Sequence, residues 1–329
     1  MMKKKFAPLL LIITIIYSCS PALQVDYSNI SVPEEGGINF TQYSRDEEEV
    51  VYPAIFIDEI TENLRWYAAP LIALSPDGVK LAYIAKSNDF FNLNIKKVSG
   101  GRAIVQRTFN RNINDMDFSP DGKWIAFTEL KGTDQNIYII NADEGSAVQQ
   151  ITSSNYSELG PSYAPDGKSL YYSKQEGSRF YIWNVNLDSS LKTQYSEGFT
   201  PALTPDGENL IVTRNGKDGS RGEIWMINIK KGTETLILSD PERGFSSPQI
   251  SPKGDVLLCV GTTEKGVTRP QNLDLYTIKL DGTGLKQLTF HGGHDVSPQW
   301  SPDGNSIFFL AQRGNIEGKY NIWKMNFNN

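Results

Sequence analysis

Large apolar side chains recur along this chain in pairs two residues apart, each pair at a fixed distance after a proline. An aliphatic residue lies five positions after the proline, and a second apolar residue, aromatic in four cases, lies seven positions after it. Side chains two apart face the same side of a β-strand, so each pair predicts a strand with one buried face. The pairs are Leu81/Tyr83, Ile125/Phe127, Leu170/Tyr172, Leu210/Val212, Leu257/Cys259 and Ile307/Phe309.

The prolines belong to a turn that occurs six times at intervals of 40 to 50 residues, as Pro-Asp-Gly in five repeats and as Pro-Lys-Gly at residues 252–254. Proline presets the turn, and Asp then Gly complete it at little steric cost. Each interval also holds a third apolar segment, as at Ile322-Trp323, and most hold a fourth, as at Ile151-Thr152. Four short strands per repeat of about 45 residues are typical of a propeller blade, so the sequence predicts an all-β, six-bladed β-propeller. The turn prolines are Pro76, Pro120, Pro165, Pro205, Pro252 and Pro302.

The sixth repeat reaches Asn329 directly after its third strand. Residues 56–61 end in Ile60-Thr61, as the outer strands of other repeats do. We therefore expect this N-terminal strand to complete the last blade and close the ring, because closure removes exposed strand edges. The predicted propeller occupies residues 51–329.

The N-terminus has the features of an export signal: lysines at positions 3–5, a short apolar run over residues 6–17 and small residues after it. Ile16-Tyr17-Ser18-Cys19 resembles the lipobox of bacterial lipoproteins, which implies cleavage before Cys19 and lipidation of its sulfur. A plain signal peptide is the alternative. We expect a signal peptide over residues 1–18 and a flexible tether over residues 19–50. Ser20 is not the acidic residue associated with inner-membrane retention, which favours the outer membrane, facing the periplasm.

The propeller repeat resembles that of the TolB family, most clearly in Ser-Pro-Gln-Trp-Ser-Pro-Asp-Gly at residues 297–304. The resemblance covers about residues 56–329. TolB proteins are periplasmic, carry a further α/β domain before the propeller and bind the peptidoglycan-associated lipoprotein. The resemblance implies an envelope propeller that binds a partner, either an envelope protein, such as a peptidoglycan-associated one, or a glycan. Residues 20–55 are too few for the further domain, so a role in a Tol-type system does not follow.

Charge and motifs narrow the function further. The formal charge is −6 and no basic run occurs beyond the N-terminus, which argues against nucleic-acid binding. No Gly-x-Ser-x-Gly nucleophile motif is present, which argues against a serine hydrolase. We expect a monomer that binds a partner, performs no catalysis and needs no cofactor. Cys259, in an apolar strand, is expected to be a core residue.

The strand before each turn is expected to be the innermost one of its blade. Alternation along these strands places a small or polar residue, three positions before the proline, on the face opposite a hydrophobic one. Asp117, Gln249 and Gln299 occupy this position and are candidates for ligand or partner binding at the channel mouth. Asp115 is a further candidate, since Asp115-Met116-Asp117 replaces the proline-containing pattern of the later repeats. Contact with channel water alone is the other interpretation.

Both histidines of the chain lie in one loop, His291-Gly292-Gly293-His294-Asp295, which adds His291, His294 and Asp295 to the channel-mouth candidates. The predicted propeller resembles oligogalacturonate lyases, which look like related propellers in which histidines hold a metal ion. That likeness implies an alternative function as a metal-dependent polysaccharide lyase or hydrolase, with His291 and His294 as ligands. Two imidazoles and a carboxylate suit a metal with an open position. Those lyases use more histidines than this chain has, and a solvated polar loop is the competing interpretation.

Overall fold

The structure of the protein is a computed structural model. Its described residues form β-strands that are joined by turns and loops. None of the described segments forms a helix long and apolar enough to cross a membrane. The predicted signal peptide, Cys19 and residues 56–61 lie outside the described residues. The structure describes residues 40–43, 50–51, 71–87, 89–100, 104–132, 134–144, 147–216, 222–262, 273–312 and 319–327.

Six antiparallel sheets form the blades, and the prediction of an all-β, six-bladed propeller is confirmed. Blades 1 to 5 take four consecutive strands each, starting from the third strand of the chain. Blade 6 consists of the last three strands together with the first two. The strands are β1 (Phe40–Gln42), β2 (Val50–Val51), β3 (Ile72–Leu74), β4 (Lys80–Ser87), β5 (Phe90–Lys97), β6 (Ile104–Gln106), β7 (Ile113–Phe118), β8 (Trp124–Lys131), β9 (Asp134–Asn141), β10 (Gln149–Gln150), β11 (Glu158–Tyr163), β12 (Ser169–Glu176), β13 (Arg179–Asn186), β14 (Lys192–Glu197), β15 (Phe199–Leu203), β16 (Asn209–Asn215), β17 (Gly222–Asn228), β18 (Glu234–Leu238), β19 (Phe245–Ile250), β20 (Val256–Thr262), β21 (Leu273–Lys279), β22 (Lys286–Gln287), β23 (Asp295–Trp300), β24 (Ser306–Ala311) and β25 (Lys319–Asn326).

Strand order within each blade follows chain order, and every pair is antiparallel. In such a meander the first and third hairpins lie at one end of the blade. The second hairpin lies at the other end with the connection to the next blade. Each turn proline lies in the first hairpin of its blade, so the six turns surround one end of the channel, here called the turn face. The loops between blades lie on the opposite side, here called the connection face.

The twelve side chains of the six apolar pairs form the centre of the core, each at most 2% exposed. They pack between neighbouring blades: Leu170 and Tyr172 of blade 3 share a cluster with Ile137 of blade 2, and Cys259 of blade 5 shares one with Ile211 of blade 4. Full burial of such a side chain contributes about 1.5–3 kcal/mol. The repeated pairs thus hold each blade against the next.

The six turns form a continuous collar around the axis. Each turn glycine has a φ between 68° and 76° and lies against the proline of the preceding blade. Gly78 of blade 1 contacts Pro302 of blade 6 in the same way, since a Cβ at Gly78 would lie 3.5 Å from the Pro302 Cγ. Where Lys253 replaces aspartate, Asp255 Oδ1 accepts the hydrogen bond from Ser251 Oγ at 2.7 Å, as Asp77 does from Ser75 at 2.5 Å elsewhere. The ring is closed at this face.

Closure of blade 6 by an N-terminal strand is confirmed, but the strand lies within the segment predicted to be a tether. Phe40 of β1 pairs with Met325 of β25, and β2 continues along the same strand. The Tyr43 hydroxyl then reaches blade 1, where it donates to the carbonyl oxygens of Lys97, at 3.0 Å, and Val98. Three residues of β1 are too few to show a strand period, so the sequence pattern missed it.

Candidate functional site

A cavity of about 210 Å³ lies on the propeller axis, enclosed by the inner strands of blades 2 to 6. These are the strands that precede the turns, as expected. The residue three positions before each turn proline contributes a polar side chain to the cavity in four blades, and alanine in blade 4. We call these four side chains the polar ring: Asp117, Ser162, Gln249 and Gln299.

The polar ring brings together three residues that the sequence analysis singled out. Asp117, Gln249 and Gln299 come from three different blades and line the same cavity. Each is partly exposed, while the residue before it in the strand is buried. Gln249 is also fixed through its backbone, because the Trp300 indole donates to its carbonyl oxygen at 3.4 Å. The predicted alternation of small or polar and hydrophobic residues therefore places these side chains on the axis.

A second ring of four buried prolines lines the same cavity in blades 3 to 6, each four positions before its turn proline and directly before Ser162, Ala202, Gln249 or Gln299. The residue before each proline has a left-handed φ, from 50° at Thr200 to 59° at Gly160. Proline disfavours helical conformations of the residue before it, and side chains disfavour the left-handed region, so this geometry is strained at three of the four positions. Register shifts mark a bulge there in all four blades. The bulge lets two successive side chains face the cavity. This proline ring is Pro161, Pro201, Pro248 and Pro298.

Asp117 is the one carboxylate of the cavity, and the described lining residues include no Lys, Arg or His. Its Oδ2 accepts a hydrogen bond from the backbone N–H of Tyr163 in the next blade at 2.8 Å. Burial raises the pKa of Asp117 to about 7, although the N–H groups of Tyr163 and Phe118 act in the opposite direction. Asp117 therefore changes charge near neutral pH without a cationic neighbour to stabilise its ionised form.

Asp115 does not line the cavity, contrary to the expectation that placed it at the channel mouth. The residue is 0% exposed. Its Oδ1 accepts from Thr128 N–H of the same blade at 3.1 Å, and its Oδ2 accepts from Gly160 N–H of blade 3 at 2.9 Å. Ser297 does the same between blades 6 and 1, since its hydroxyl accepts from Leu71 N–H at 3.2 Å. Asp115 thus connects two blades through their backbones.

His291, His294 and Asp295 are not part of the cavity lining either. They lie on the connection face, His291 and His294 in the loop before β23 and Asp295 at its first position, whereas the polar ring lies towards the turn face. His291 Nδ1 accepts from Gly293 N–H at 3.0 Å, and His294 Nδ1 accepts from Leu273 N–H at 3.1 Å. Burial lowers the pKa of His294, and the Asp295 charge acts in the opposite direction. A neutral imidazole that accepts at Nδ1 carries its proton on Nε2, so neither ring presents a free lone pair to a metal.

Comparison with known proteins places the fold in a family. The family model described as the TolB beta propeller domain matches residues 61–270, about two thirds of the chain. The chain belongs to the TolB β-propeller family. The prediction from the repeat motif is confirmed.

Relatives in the TolB family differ from this chain in length. The Tol-Pal system protein TolB of Francisella tularensis subsp. mediasiatica is 30% identical over 239 residues, which are 69% of this chain and 53% of that protein. The chain spans about half the length of the curated relatives it first matches. The crystal structure of TolB from Acinetobacter baumannii aligns with a TM-score of 0.61 at 17% identity, over 76% of this chain and 64% of that one. This structural likeness concerns the fold.

The TolB-like fold is shared with lyases as well. An oligogalacturonate lyase from Vibrio parahaemolyticus aligns with a TM-score of 0.55 at 12% identity, over 88% of this chain and 97% of that chain. Such low identity shows a common fold and carries no chemistry. Among the described residues, no group of three or more His, Cys, Asp or Glu side chains is arranged to hold a metal ion.

Cys259 shows the environment expected of a core residue in this TolB-family chain. It is a free cysteine, 0% exposed, and burial raises the pKa of its thiol. A thiol that is not ionised is a poor nucleophile. Cys19, the expected lipidation site, lies outside the described residues.

Ser162, Tyr163 and the proline ring line the cavity but are not among the candidates that the sequence predicts. A signal was present, because a proline stands four positions before the turn proline in four successive repeats. Prolines in a central strand usually argue against that strand, and here they mark bulges in inner strands. Tyr163 lies two positions before its turn proline, where the other repeats carry hydrophobic residues, and its hydroxyl is buried without a hydrogen-bond partner among the described residues.

Proposed function

We propose that this chain is a non-enzymatic interaction scaffold of the cell envelope that binds a partner protein at the turn-face end of its central cavity. The observation that carries the proposal is the polar ring: four polar side chains from four blades converge on one cavity in a TolB-family propeller. Concave sites with a few convergent polar groups are where propellers and other folds bind ligands.

The envelope location is supported by the relatives and by the N-terminal sequence. The Francisella relative is a protein of the Tol-Pal system. The export-signal pattern and the lipobox-like Cys19 fit a protein that is anchored by lipid, which we place at the outer membrane facing the periplasm. We propose an envelope protein as the partner, with a glycan as the alternative occupant. Membership of a Tol-type system is no part of the proposal.

The strained bulges also support a binding role for the cavity. Left-handed non-glycine residues cost about 1–3 kcal/mol each and cluster at ligand-binding sites and active sites. Three of the four bulges place such a residue beside the cavity, at Thr200, Ser247 and Ser297. Proline after each of them fixes the backbone, which lowers the entropy cost of binding.

Site-specific photo-crosslinking in cells tests this function. A photoreactive amino acid at Gln299 lies in the cavity, and one at Tyr195, on the outer strand β14 of blade 3, is the matched control. We expect a discrete adduct from position 299 that mass spectrometry identifies as one envelope protein, and no such adduct from position 195. Equal adducts from both positions, or none from 299, would refute partner binding at the cavity. An adduct that carries sugar instead would favour the glycan.

A further inference from the structure

The cavity combines two kinds of surface that one ligand group can satisfy. The proline ring and the Met116 side chain, which is 1% exposed, provide apolar contact. Asp117 provides a carboxylate, and Gln249 and Gln299 lie on the same lining with amide oxygens that can accept hydrogen bonds. A group with a short apolar stem and a cationic end matches this distribution, since such side chains bury their methylenes and keep the charge paired.

We propose that the cavity binds a primary alkylammonium group, as in the lysine side chain of a partner protein, with Asp117 as its counter-ion. The inference rests on the proposed function, because it names the chemistry that the partner would insert. Charge-assisted hydrogen bonds between an ammonium group and a carboxylate are about twice as strong as neutral ones.

The charge of the turn face favours the approach of such a cation. The five residues starting at each of the six turn prolines together carry seven carboxylates and four ammonium groups. Most turn aspartates keep a lowered pKa, because a serine or threonine hydroxyl and a backbone N–H donate to them. They are therefore ionised at neutral pH and give the cavity mouth a net negative potential, which attracts cations. The turn aspartates with a lowered pKa are Asp77, Asp121, Asp206 and Asp303.

The size and the lining of the cavity argue for an organic cation of side-chain size. Sites for drug-sized ligands are about 300–1,000 Å³, whereas this cavity has about 210 Å³. A divalent metal prefers several charged or carbonyl oxygen ligands. The described lining offers one carboxylate, and prolines occupy much of the remaining wall. One alkylammonium group fits this wall better than a metal ion does.

Binding of the cation is expected to depend on pH through Asp117. The groups that act on this carboxyl are the N–H groups of Tyr163 and Phe118, together with its burial, and no charged side chain is among them. Since the pKa of Asp117 is about 7, the ionised fraction falls about 30-fold between pH 8 and pH 5.5. The affinity for an alkylammonium should fall by a similar factor, and the affinity for a neutral analogue should not change.

The test uses n-butylammonium chloride as the probe and 1-butanol as its neutral counterpart. The dissociation constant for the purified protein is measured by ligand-observed NMR at pH 8 and pH 5.5. Asp117→Asn removes the proposed counter-ion. Asp89→Asn is the matched control, because it makes the same change of charge at a side chain that is 94% exposed in the second hairpin of blade 1, on the connection face.

We expect butylammonium to bind the wild type at pH 8, to bind Asp117→Asn at least about 10-fold more weakly, and to bind Asp89→Asn with an affinity within about 2-fold of the wild type. Equal binding of butanol, equal loss with both variants, or no loss at pH 5.5 would each overturn the inference. Displacement of butylammonium by calcium chloride at equimolar concentration would also overturn the inference. Should the photo-crosslink from Gln299 persist in Asp117→Asn while butylammonium binding is absent in the wild type, the scaffold function would stand and this inference would fail.

Discussion

Replacing Tyr43 by alanine should lower the free energy of unfolding of the whole propeller by about 2.5–3.5 kcal/mol. Tyr43 follows the closing strand β1 and connects blade 6 to blade 1, as Ser297 and Pro302 also do. Its hydroxyl donates to the backbone of Lys97 and Val98, and its backbone N–H donates to the Ile322 carbonyl oxygen at 2.8 Å. Loss of the Tyr43 side chain weakens the junction between the first and last blades.

The magnitude comes from three contacts of the Tyr43 side chain. The ring is half-buried, and half of a full aromatic burial is worth about 1–1.5 kcal/mol. Its edge-to-face contact with Phe308, at 5.2 Å between centroids, adds about 0.5–1 kcal/mol. The hydroxyl hydrogen bond adds about 1 kcal/mol. The Lys96 ammonium, 4.7 Å from the ring centroid, contributes a smaller cation–π attraction.

Urea unfolding followed by tryptophan fluorescence measures this loss as a shift of the midpoint at constant slope. Tyr43→Phe keeps the ring and removes the hydroxyl, so we expect about 1 kcal/mol. Phe109→Ala, at an aromatic residue 68% exposed, is the control and should cost less than about 0.5 kcal/mol. If Tyr43→Ala behaves like Phe109→Ala, β1 does not close the ring, and residues 56–61 become the candidate again.

Four further outcomes are expected. Asp115→Ala should cost about 2–4 kcal/mol in urea unfolding, because it leaves the N–H groups of Thr128 and Gly160 unpaired inside the protein; a change under about 0.5 kcal/mol would contradict the role in connecting blades. Asp117→Asn should stabilise the protein by about 1–2 kcal/mol at pH 8 and leave it nearly unchanged at pH 4. The folded pKa, about 7, lies above the usual 3.8, so the stability of the wild type is greatest at low pH, falls as the pH rises from about 3.8 to about 7 and levels off above that; a variant with the same pH dependence would disprove that assignment. Cys259 should resist thiol reagents in the folded protein and react after unfolding in urea, and labelling of the native protein would show that it is accessible. Cys19→Ser should move the protein from the membrane fraction to the soluble periplasmic fraction; retention in the membrane would show that the lipobox prediction is wrong.

The propeller could be predicted because its determinants are local and repeated. The Pro-Asp-Gly turns and the apolar pairs at fixed offsets specify strands with one buried face, and six copies specify six blades. Closure was predicted correctly as a principle, since a missing outer strand must be supplied. Its location was not, because β1 depends on pairing with Met325, nearly three hundred residues away in the chain.

The polar ring was partly accessible from the sequence for the same reason. Asp117, Gln249 and Gln299 share one offset from the turn, and the repeat therefore brings them to one level of the axis. Asp115, two residues from Asp117, has the same parity in a regular strand. The sequence could not separate the two, because the strand pairs in continuous register from Asp115 to Phe118 and what distinguishes Asp115 is the Gly160 N–H of the next blade, which occupies its carboxylate.

The sequence by itself determined the fold, the number of blades and the offset of the axial residues, since turns, strand periods and repeats act over short distances. Only the tertiary structure decided the role of each polar group, because that role depends on which backbone N–H groups come within reach. Gly160 N–H occupies the Asp115 carboxylate, and backbone N–H groups occupy Nδ1 of both His291 and His294. The Asp117 side chain, in contrast, lines the cavity. This cavity exists only when the six blades meet on one axis.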